Sequence, residues 1–347
     1  MSIFNPDGVG ISNGNIFGFP VTESDANIVI IPIPWDATAS YGKGTSNGPK
    51  SILEASTQLD FYHPQLNDAC LTRVFMTPIS NDWIEINDKL CLESIEYIQY
   101  LEEGHQDISP YLDFIKRMNA TQLALKENLR ERCIKLIQEK RIVGVLGGEH
   151  STPLGLIEAL NENYSEFGIL QIDAHADLRD SFENFEQSHA SIMYNVIKNC
   201  HHATKLVQVG IRDIAKIEID VIQTSHNRIK TFFDWDIKRN LYNGINWNSQ
   251  VESIINELPQ NVYISFDIDG LNPSLCPNTG TPVPGGFELE EINYLIFKLV
   301  ESGRRIIGFD LNEVSPGQNG DWDANVGARA LWNLVCATEK SRRNDEK

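Results

Sequence analysis

The sequence predicts an α/β fold built on a mostly parallel central sheet. Short runs rich in β-branched residues recur along the chain, helical patterns lie between them, and the runs show little polar alternation. A strand without a polar face is one buried on both sides, as in a parallel sheet covered by helices. Strands alternating with helices make βαβ units, whose strands run parallel.

In chain order, the predicted strands are 28-IVIIPIP-34, 142-IVGVLGG-148, 167-FGILQID-173, 206-LVQVGIR-212, 262-VYISFDID-269 and 306-IIGFDLNEV-314. Predicted helices span 110–140, 153–163, 190–199, 289–302 and 326–339. Residues 1–26, rich in Gly, Asn and Pro, read as an irregular arm, and 60–108, without a firm period, as an insertion. No Ser/Gly-rich linker, repeat or low-complexity tract divides the 347 residues, so a single domain over 1–347 is expected. At this length roughly three quarters of the unfolded surface is buried on folding.

Charge and cysteine usage narrow the setting. With 29 basic and 48 acidic residues the formal net charge is −19. That balance argues against nucleic acid and against an anionic membrane surface, both of which are bound by Lys and Arg clusters. No apolar run approaches the ~20 residues that span a bilayer. The start, MSIFNPDGVG, lacks the basic and apolar regions of a secretory signal. Six scattered cysteines with no CxxC pair read as reduced thiols of a cytoplasmic protein.

The chemistry sits where the predicted strands end. One ends Gly147-Gly148-Glu149-His150-Ser151, the next Asp173-Ala174-His175-Ala176-Asp177, a third Asp267-Ile268-Asp269 and the last Glu313. Ligands of open α/β sheets sit at the carboxyl ends of strands. If the chain stays extended, side chains two apart share a side, bringing together Asp173, His175 and Asp177, and likewise Asp267 and Asp269. Four close carboxylates repel and cannot all ionise alone. Two divalent cations resolve this, and mixed carboxylate and imidazole suits manganese, iron, cobalt or nickel rather than structural zinc. Such a pair of metals lowers the pKa of a shared water. DxD or Gly-Gly-x-His alone is weak and marks turns; the three motifs in this order, each after a β-branched run, are specific.

GGEHS, DAHADLRD, SFDIDGLNPSLCPNTGTPVPGG and GFDLNEVSP resemble the signatures of the ureohydrolase family, which includes arginase, agmatinase, guanidinobutyrase, guanidinase and formimidoylglutamase. The glycine-rich loop from Ser40 through Gly48-Pro49 is also similar, and the resemblance runs from about residue 27 to the C-terminus apart from the insertion. It implies a three-layer α/β/α fold, two divalent metals (most often Mn2+, with Ni2+ an alternative) and a homotrimer or homohexamer. Carried over residue by residue, it implies one metal on His150, Asp173, Asp177 and Asp267, and a second on Asp173, His175, Asp267 and Asp269. Glu149 replaces an Asp common in the family and is not among these ligands.

The resemblance also implies roles around the metals. Glu313 matches the glutamate that grips a guanidinium, since a carboxylate accepts two parallel N–H bonds from that planar cation; a buried ion pair with Arg212 or Arg329 is its structural alternative. His189 matches a mobile histidine that passes a proton to the leaving amine. Asp269 helps stabilise the tetrahedral intermediate. Thr281 lines the substrate cleft, unless it merely belongs to a Gly/Pro turn. Arg179 stands where arginases usually have an Asn that helps hold the α-carboxylate, and Arg212-Asp213 is followed by Ile214 and Ala215 rather than by an acid for the α-amino group. Arginase is thereby disfavoured, and DAHADLRD followed by SHAS resembles the agmatinase-like branch. Arg179 would repel the second amine of agmatine unless it pairs with Asp180 or Asp213. The expected activity is hydrolysis of agmatine to putrescine and urea. Guanidine, guanidinobutyrate, arginine and formimidoylglutamate are alternative substrates, and a non-catalytic metal-binding paralogue is the alternative from another class.

Overall fold

The computed structural model describes residues 4–317 and 320–345. Among them, eight strands form one sheet in which every pairing is parallel. The strands are β1 (Ile28–Ile33), β2 (Val74–Met76), β3 (Ile142–Gly147), β4 (Phe167–Ile172), β5 (Ala203–Val209), β6 (Ile229–Phe232), β7 (Asn261–Asp267) and β8 (Arg305–Asn312). Their order across the sheet is β2-β1-β3-β8-β7-β4-β5-β6.

Helices cover both faces, giving three layers. One face carries α1 (Gly48–Ser56), α8 (Trp247–Asn256), α9 (Leu289–Glu301) and α10 (Trp322–Asp345), which bury residues such as Ile52, Ile254, Leu295 and Leu331 against Ile30, Leu146, Leu170 and Phe266. The other carries α2 (Asn81–Glu102), α3 (Leu112–Gln138), α4 (Leu154–Asn163) and α5 (Ile192–Asn199), with Leu129, Leu160 and Met193 packed on Val29, Val143 and Ile169. Neighbouring strand residues such as Val29 and Ile30 thus serve opposite cores, which is why these strands lack polar alternation.

The predicted elements are all present, with two kinds of difference. First, the sequence runs overshoot several strands at their C-terminal ends: β4 stops at Ile172, β7 at Asp267 and β8 at Asn312. The residues beyond, Asp173, Asp269 and Glu313, lie where the chain turns. Secondly, short or half-exposed elements carry no readable period. β2 and β6 are edge strands of three and four residues. The segment 60–108 contributes β2 and all of α2, whose buried stripe includes the polar Asn87 and Ser94. The short helices α6 (Lys216–Thr224) and α7 (Asp234–Tyr242), together with α8, lie in the interval between the fourth and fifth predicted strands. Residues 4–26 form only short 3-10 turns, yet Phe17 and Phe19 are buried with Phe61 and Trp332 in an aromatic cluster, ring centroids 4.9–6.2 Å apart. All six cysteines are free thiols. Among the described residues no helix is long and apolar enough to cross a membrane.

The topology places the chemistry. The central neighbours β3, β8, β7 and β4 end nearly level, with Leu146 opposite Leu311, Asp267 opposite Asn312 and Ile172 opposite Phe266. These are the four strands whose ends carry His150, Glu313, Asp267 and Asp173. Segments up to 165 residues apart in sequence thereby become lateral neighbours about 4.8 Å apart.

Replacing Tyr97 by Ala tests whether α2 belongs to the core. Its buried ring packs on Phe114 and Phe185 at 5.7 Å, and its hydroxyl bonds Asn184 at 2.7 Å. The expected loss is about 3–5 kcal/mol in denaturant unfolding.

Candidate metal centre and adjoining cavity

Turns, rather than extended chain, gather the acids. The Asp173 carboxylate accepts the His175 N–H at 2.6 Å, folding the chain back directly after β4. Asp267 likewise accepts the Asp269 N–H at 2.9 Å, starting a 3-10 turn over Ile268–Gly270. Asp side chains commonly bond backbone two residues on. Asp269 ties the two turns together by accepting the Ala174 N–H at 3.0 Å. Asp177 and Glu313 are left-handed, with φ of 54° and 63°. Such conformations cost on the order of 1–3 kcal/mol and persist where surrounding structure imposes them.

The six side chains expected as ligands converge. His150 Nδ1 lies 3.0 Å from Asp173 Oδ2, 3.0 Å from Asp177 Oδ2 and 3.3 Å from Asp267 Oδ2. His175 Nδ1 lies 3.0 Å from Asp269 Oδ2 and 3.7 Å from Asp173 Oδ1. Two sets of ligand atoms suited to a cation result, His150/Asp173/Asp267 and Asp173/His175/Asp269, and Asp173 is common to both. Asp267 falls in the first set only.

Electrostatics say what is needed there. Burial and the neighbouring Asp269 push Asp173 upward, and burial with Asp173 pushes Asp177 up to about 7. Burial with Asp269 and Asp173 holds Asp267 well above the usual carboxylate range. Against the burial that would lower them, the same carboxylates raise His150 far above an ordinary imidazole and His175 to about 10. Asp269 moves the other way despite its burial, because His175 faces it. Without a cation this cluster holds protons. Oxygen and imidazole donors in a buried anionic site fit two divalent cations.

Behind the cluster lies a relay that the sequence reading missed. His150 Nε2 is 2.8 Å from Ser265 Oγ, and the Ser265 hydroxyl reaches Asp310 Oδ1 at 3.2 Å. Asp310 also accepts from the Tyr263 hydroxyl at 2.5 Å and the Phe266 N–H at 3.2 Å. With its O–H given to Asp310, Ser265 accepts the His150 Nε2–H, which leaves Nδ1, facing the three carboxylates, as the nitrogen that a cation would take in place of a proton. A ligating histidine held by its other nitrogen is the usual supporting arrangement. The available signal was Ser265 and Asp310, polar residues inside otherwise apolar strands.

Around this centre the other candidate residues separate. A cavity of about 220 Å3 is lined by His175, Asp177, His189, Arg179, Thr281 and Ser40 among others. Thr281 Oγ1 stands 3.4 Å from Asp269 Oδ2. Burial, with His175 and Lys43 nearby, lowers the His189 pKa to about 3, keeping the ring neutral. Glu313 is not on this wall. It is buried beside the cluster, accepting the His150 N–H at 2.9 Å. Burial and the neighbouring Glu149 push its pKa well up.

Neither structural alternative for Glu313 is realised: Arg212 donates to the carbonyls of Gly210, Asp269, Leu271 and Val283, and Arg329 donates to Asn325. The pairing of Arg179 with Asp180 or Asp213 that would relieve its repulsion of a second amine is not seen either. Its guanidinium lies over the Phe182 ring at 4.7 Å, while Asp180 meets Lys198 at 3.6 Å. A planar cation stacks readily on an aromatic face.

Comparison with known proteins follows the same lines. The family model described as "Arginase family" matches residues 26–337. An N(1)-aminopropylagmatine ureohydrolase of Synechocystis sp. is 30% identical over 295 residues, covering 84% of this chain and 83% of that protein. An agmatinase of Bacillus cereus is 26% identical over 294 residues, covering 84% of each. The structure of the agmatine ureohydrolase of Thermoplasma volcanium superposes with a TM-score of 0.73 over 96% of this chain and 97% of that one, at 21% identity, and shares the fold.

Two outcomes are expected. Ser265→Ala and Asp310→Asn should each weaken Mn2+ affinity about 10- to 100-fold in a competition titration. Metal binding should also strengthen with pH. The raised pKa values of Asp177 (about 7) and His175 (about 10) mark protons that a cation displaces. For the metal-free protein, groups raised on folding stabilise it below their unfolded values and lose that contribution as pH rises through the folded ones. The gain in melting temperature on adding Mn2+ should therefore be larger at pH 8 than at pH 6.

Proposed function

Since the chain belongs to the arginase family, we propose that it hydrolyses agmatine to putrescine and urea with two divalent metals, most often Mn2+ and alternatively Ni2+. The supporting observation is the buried Glu313 carboxylate, set against a cluster fit for two cations and joined to no Lys or Arg among the described residues. An unpaired buried carboxylate favours a cationic ligand, and a guanidinium meets it with two parallel N–H bonds. When bound, the metals supply Lewis acidity and lower the pKa of a shared water.

The chain's own residues do the rest. His150, Asp173, Asp177 and Asp267 would hold one metal, and Asp173, His175, Asp267 and Asp269 would hold the other. Glu313 orients the guanidinium, which fixes its carbon for attack. The Asp269 carboxylate meets the N–H groups of the carbon as it becomes tetrahedral. His189 is neutral at rest and therefore free to take a proton and return it to the departing amine. Thr281 and Arg179 border the substrate's path, and the stacking of Arg179 on Phe182 fixes where its guanidinium stands on that wall. The same reading gives a single-domain cytoplasmic enzyme, assembled as a homotrimer or homohexamer.

A second reading, N(1)-aminopropylagmatine as substrate, has the name of the 30% identical relative in its favour. Arginine is less well served, because Ile214 and Ala215 follow Arg212-Asp213.

Urea release from agmatine, N(1)-aminopropylagmatine, arginine, guanidinobutyrate and guanidine by the Mn2+- and Ni2+-loaded protein decides among these. Agmatine is expected to give the highest kcat/KM; silence on all five with both metals bound would overturn the enzyme reading. Asp267→Ala should abolish activity and release metal. His189→Ala should lower kcat about 10²–10⁴-fold with metal content unchanged.

A further inference from the structure

His189 does not stand alone at the cavity. Its Nδ1 lies 3.1 Å from the backbone oxygen of Thr38, and its Nε2 lies 3.2 Å from Ser40 Oγ. A carbonyl only accepts, so the hydrogen of the neutral ring is on Nδ1 and the lone pair is on Nε2. The hydroxyl facing that lone pair donates to it. Ser40 and His189 both line the cavity with Asp177, His175 and Thr281, so the hydroxyl that meets the basic nitrogen of His189 also faces the cavity.

The loop that carries Thr38 and Ser40 is built into the site. The Thr38 hydroxyl is fully buried, donates to Glu149 Oε1 and accepts from Gln122 Nε2 at 3.2 Å. Glu149 precedes the candidate ligand His150, and its own N–H bonds the Trp35 carbonyl at 2.8 Å. Buried Asp36 accepts the N–H groups of Gly44 at 2.8 Å and Ser46 at 3.2 Å, closing the far side of the loop. The loop's place relative to His189 is thus fixed by the residue that also precedes a metal ligand, which gives the buried Glu149 carboxylate a use.

We infer that Ser40 relays the proton between His189 Nε2 and the leaving amine, and that Thr38 is the positioning residue that sets the His189 tautomer. This rests on the hydrolysis proposed above. When the attacking water gives a proton to Ser40 Oγ, the Ser40 hydroxyl passes its own hydrogen to Nε2, and the new Nε2–H then donates to Ser40 Oγ. As the C–N bond breaks, the Ser40 hydroxyl gives its hydrogen to the amine nitrogen and receives the one from Nε2. The hydroxyl ends unchanged, the ring ends neutral, and the amine departs with the proton it needed.

The test uses the metal-loaded full chain. Ser40→Ala should lower kcat about 10- to 100-fold, with KM and metal content unchanged, while Ser40→Thr, which keeps the hydroxyl, should retain most of the rate. In a His189→Ala background, Ser40→Ala should cost nothing further, because the relay has lost its source. Independent, multiplying losses would overturn the relay, and so would an undiminished kcat or loss of metal in Ser40→Ala. A readout without substrate separates this inference from the proposed function. In 15N NMR of wild type the His189 Nε2 should carry no hydrogen, and its shift should move in Ser40→Ala. A ring protonated on Nε2 instead, or a shift indifferent to Ser40, would overturn the inference whatever the activity.

Discussion

Repulsion among Asp173, Asp177, Asp267 and Asp269 is the interaction on which the rest of this structure depends. Four carboxylates are buried within hydrogen-bonding reach of two imidazoles, at a depth where solvent screens little. Among the described residues no Lys or Arg forms an ion pair with them. Arg212 directs its donors to backbone carbonyls, one of them that of Asp269. The charge is left for protons or for bound cations. Three of the four acids and both histidines shift toward holding protons, as expected of a site kept open for metals.

The surrounding architecture follows from that requirement. A parallel sheet delivers four adjacent strand ends to one place, and its two apolar cores keep those ends rigid. Turns closed by Asp side chains then aim the carboxylates inward. The price of this layout is strain at Asp177 and Glu313 and buried polar atoms that each need a partner. Ser265, Asp310, Tyr263 and Asn312 form a network inside the sheet that meets the second need around His150. On the other side the cavity is bounded by His175, Asp177, His189 and Thr281.

The same electrostatic logic reaches the substrate. Glu313 and Glu149 are a second pair of buried, mutually repelling carboxylates next to the first cluster. Glu149 is engaged by the hydroxyls of Thr38 and Ser151, whereas among the described residues Glu313 accepts only the His150 N–H. Of the two, Glu313 is the carboxylate that a planar cation satisfies. On the proposed reading, a guanidino substrate would complete a charge balance that the polypeptide leaves unfinished, as two cations would at the neighbouring cluster.

Much of this was legible in the residues themselves. Lack of polar alternation in the strand runs betrayed a sheet buried on both faces, and acids and histidines just after those runs betrayed the site, because such residues are costly at buried strand ends unless they bind something. The motif spacing carried the family and the six candidate ligands. Three things were left to tertiary structure. The acids converge through turns rather than an extended chain, since Asp side chains capture backbone N–H groups two residues on. Helix α2 and the edge strands are stabilised by what they pack against, so their own sequence has no period to read. The partners of His150, His189 and Arg179 lie 115, 149 or 151, and 3 residues away in the chain. Sequence fixes which chemical groups are present and their local turns; only the folded sheet decides which of them touch, because hydrogen bonds and ion pairs act over a few ångströms of space, whatever the separation along the chain.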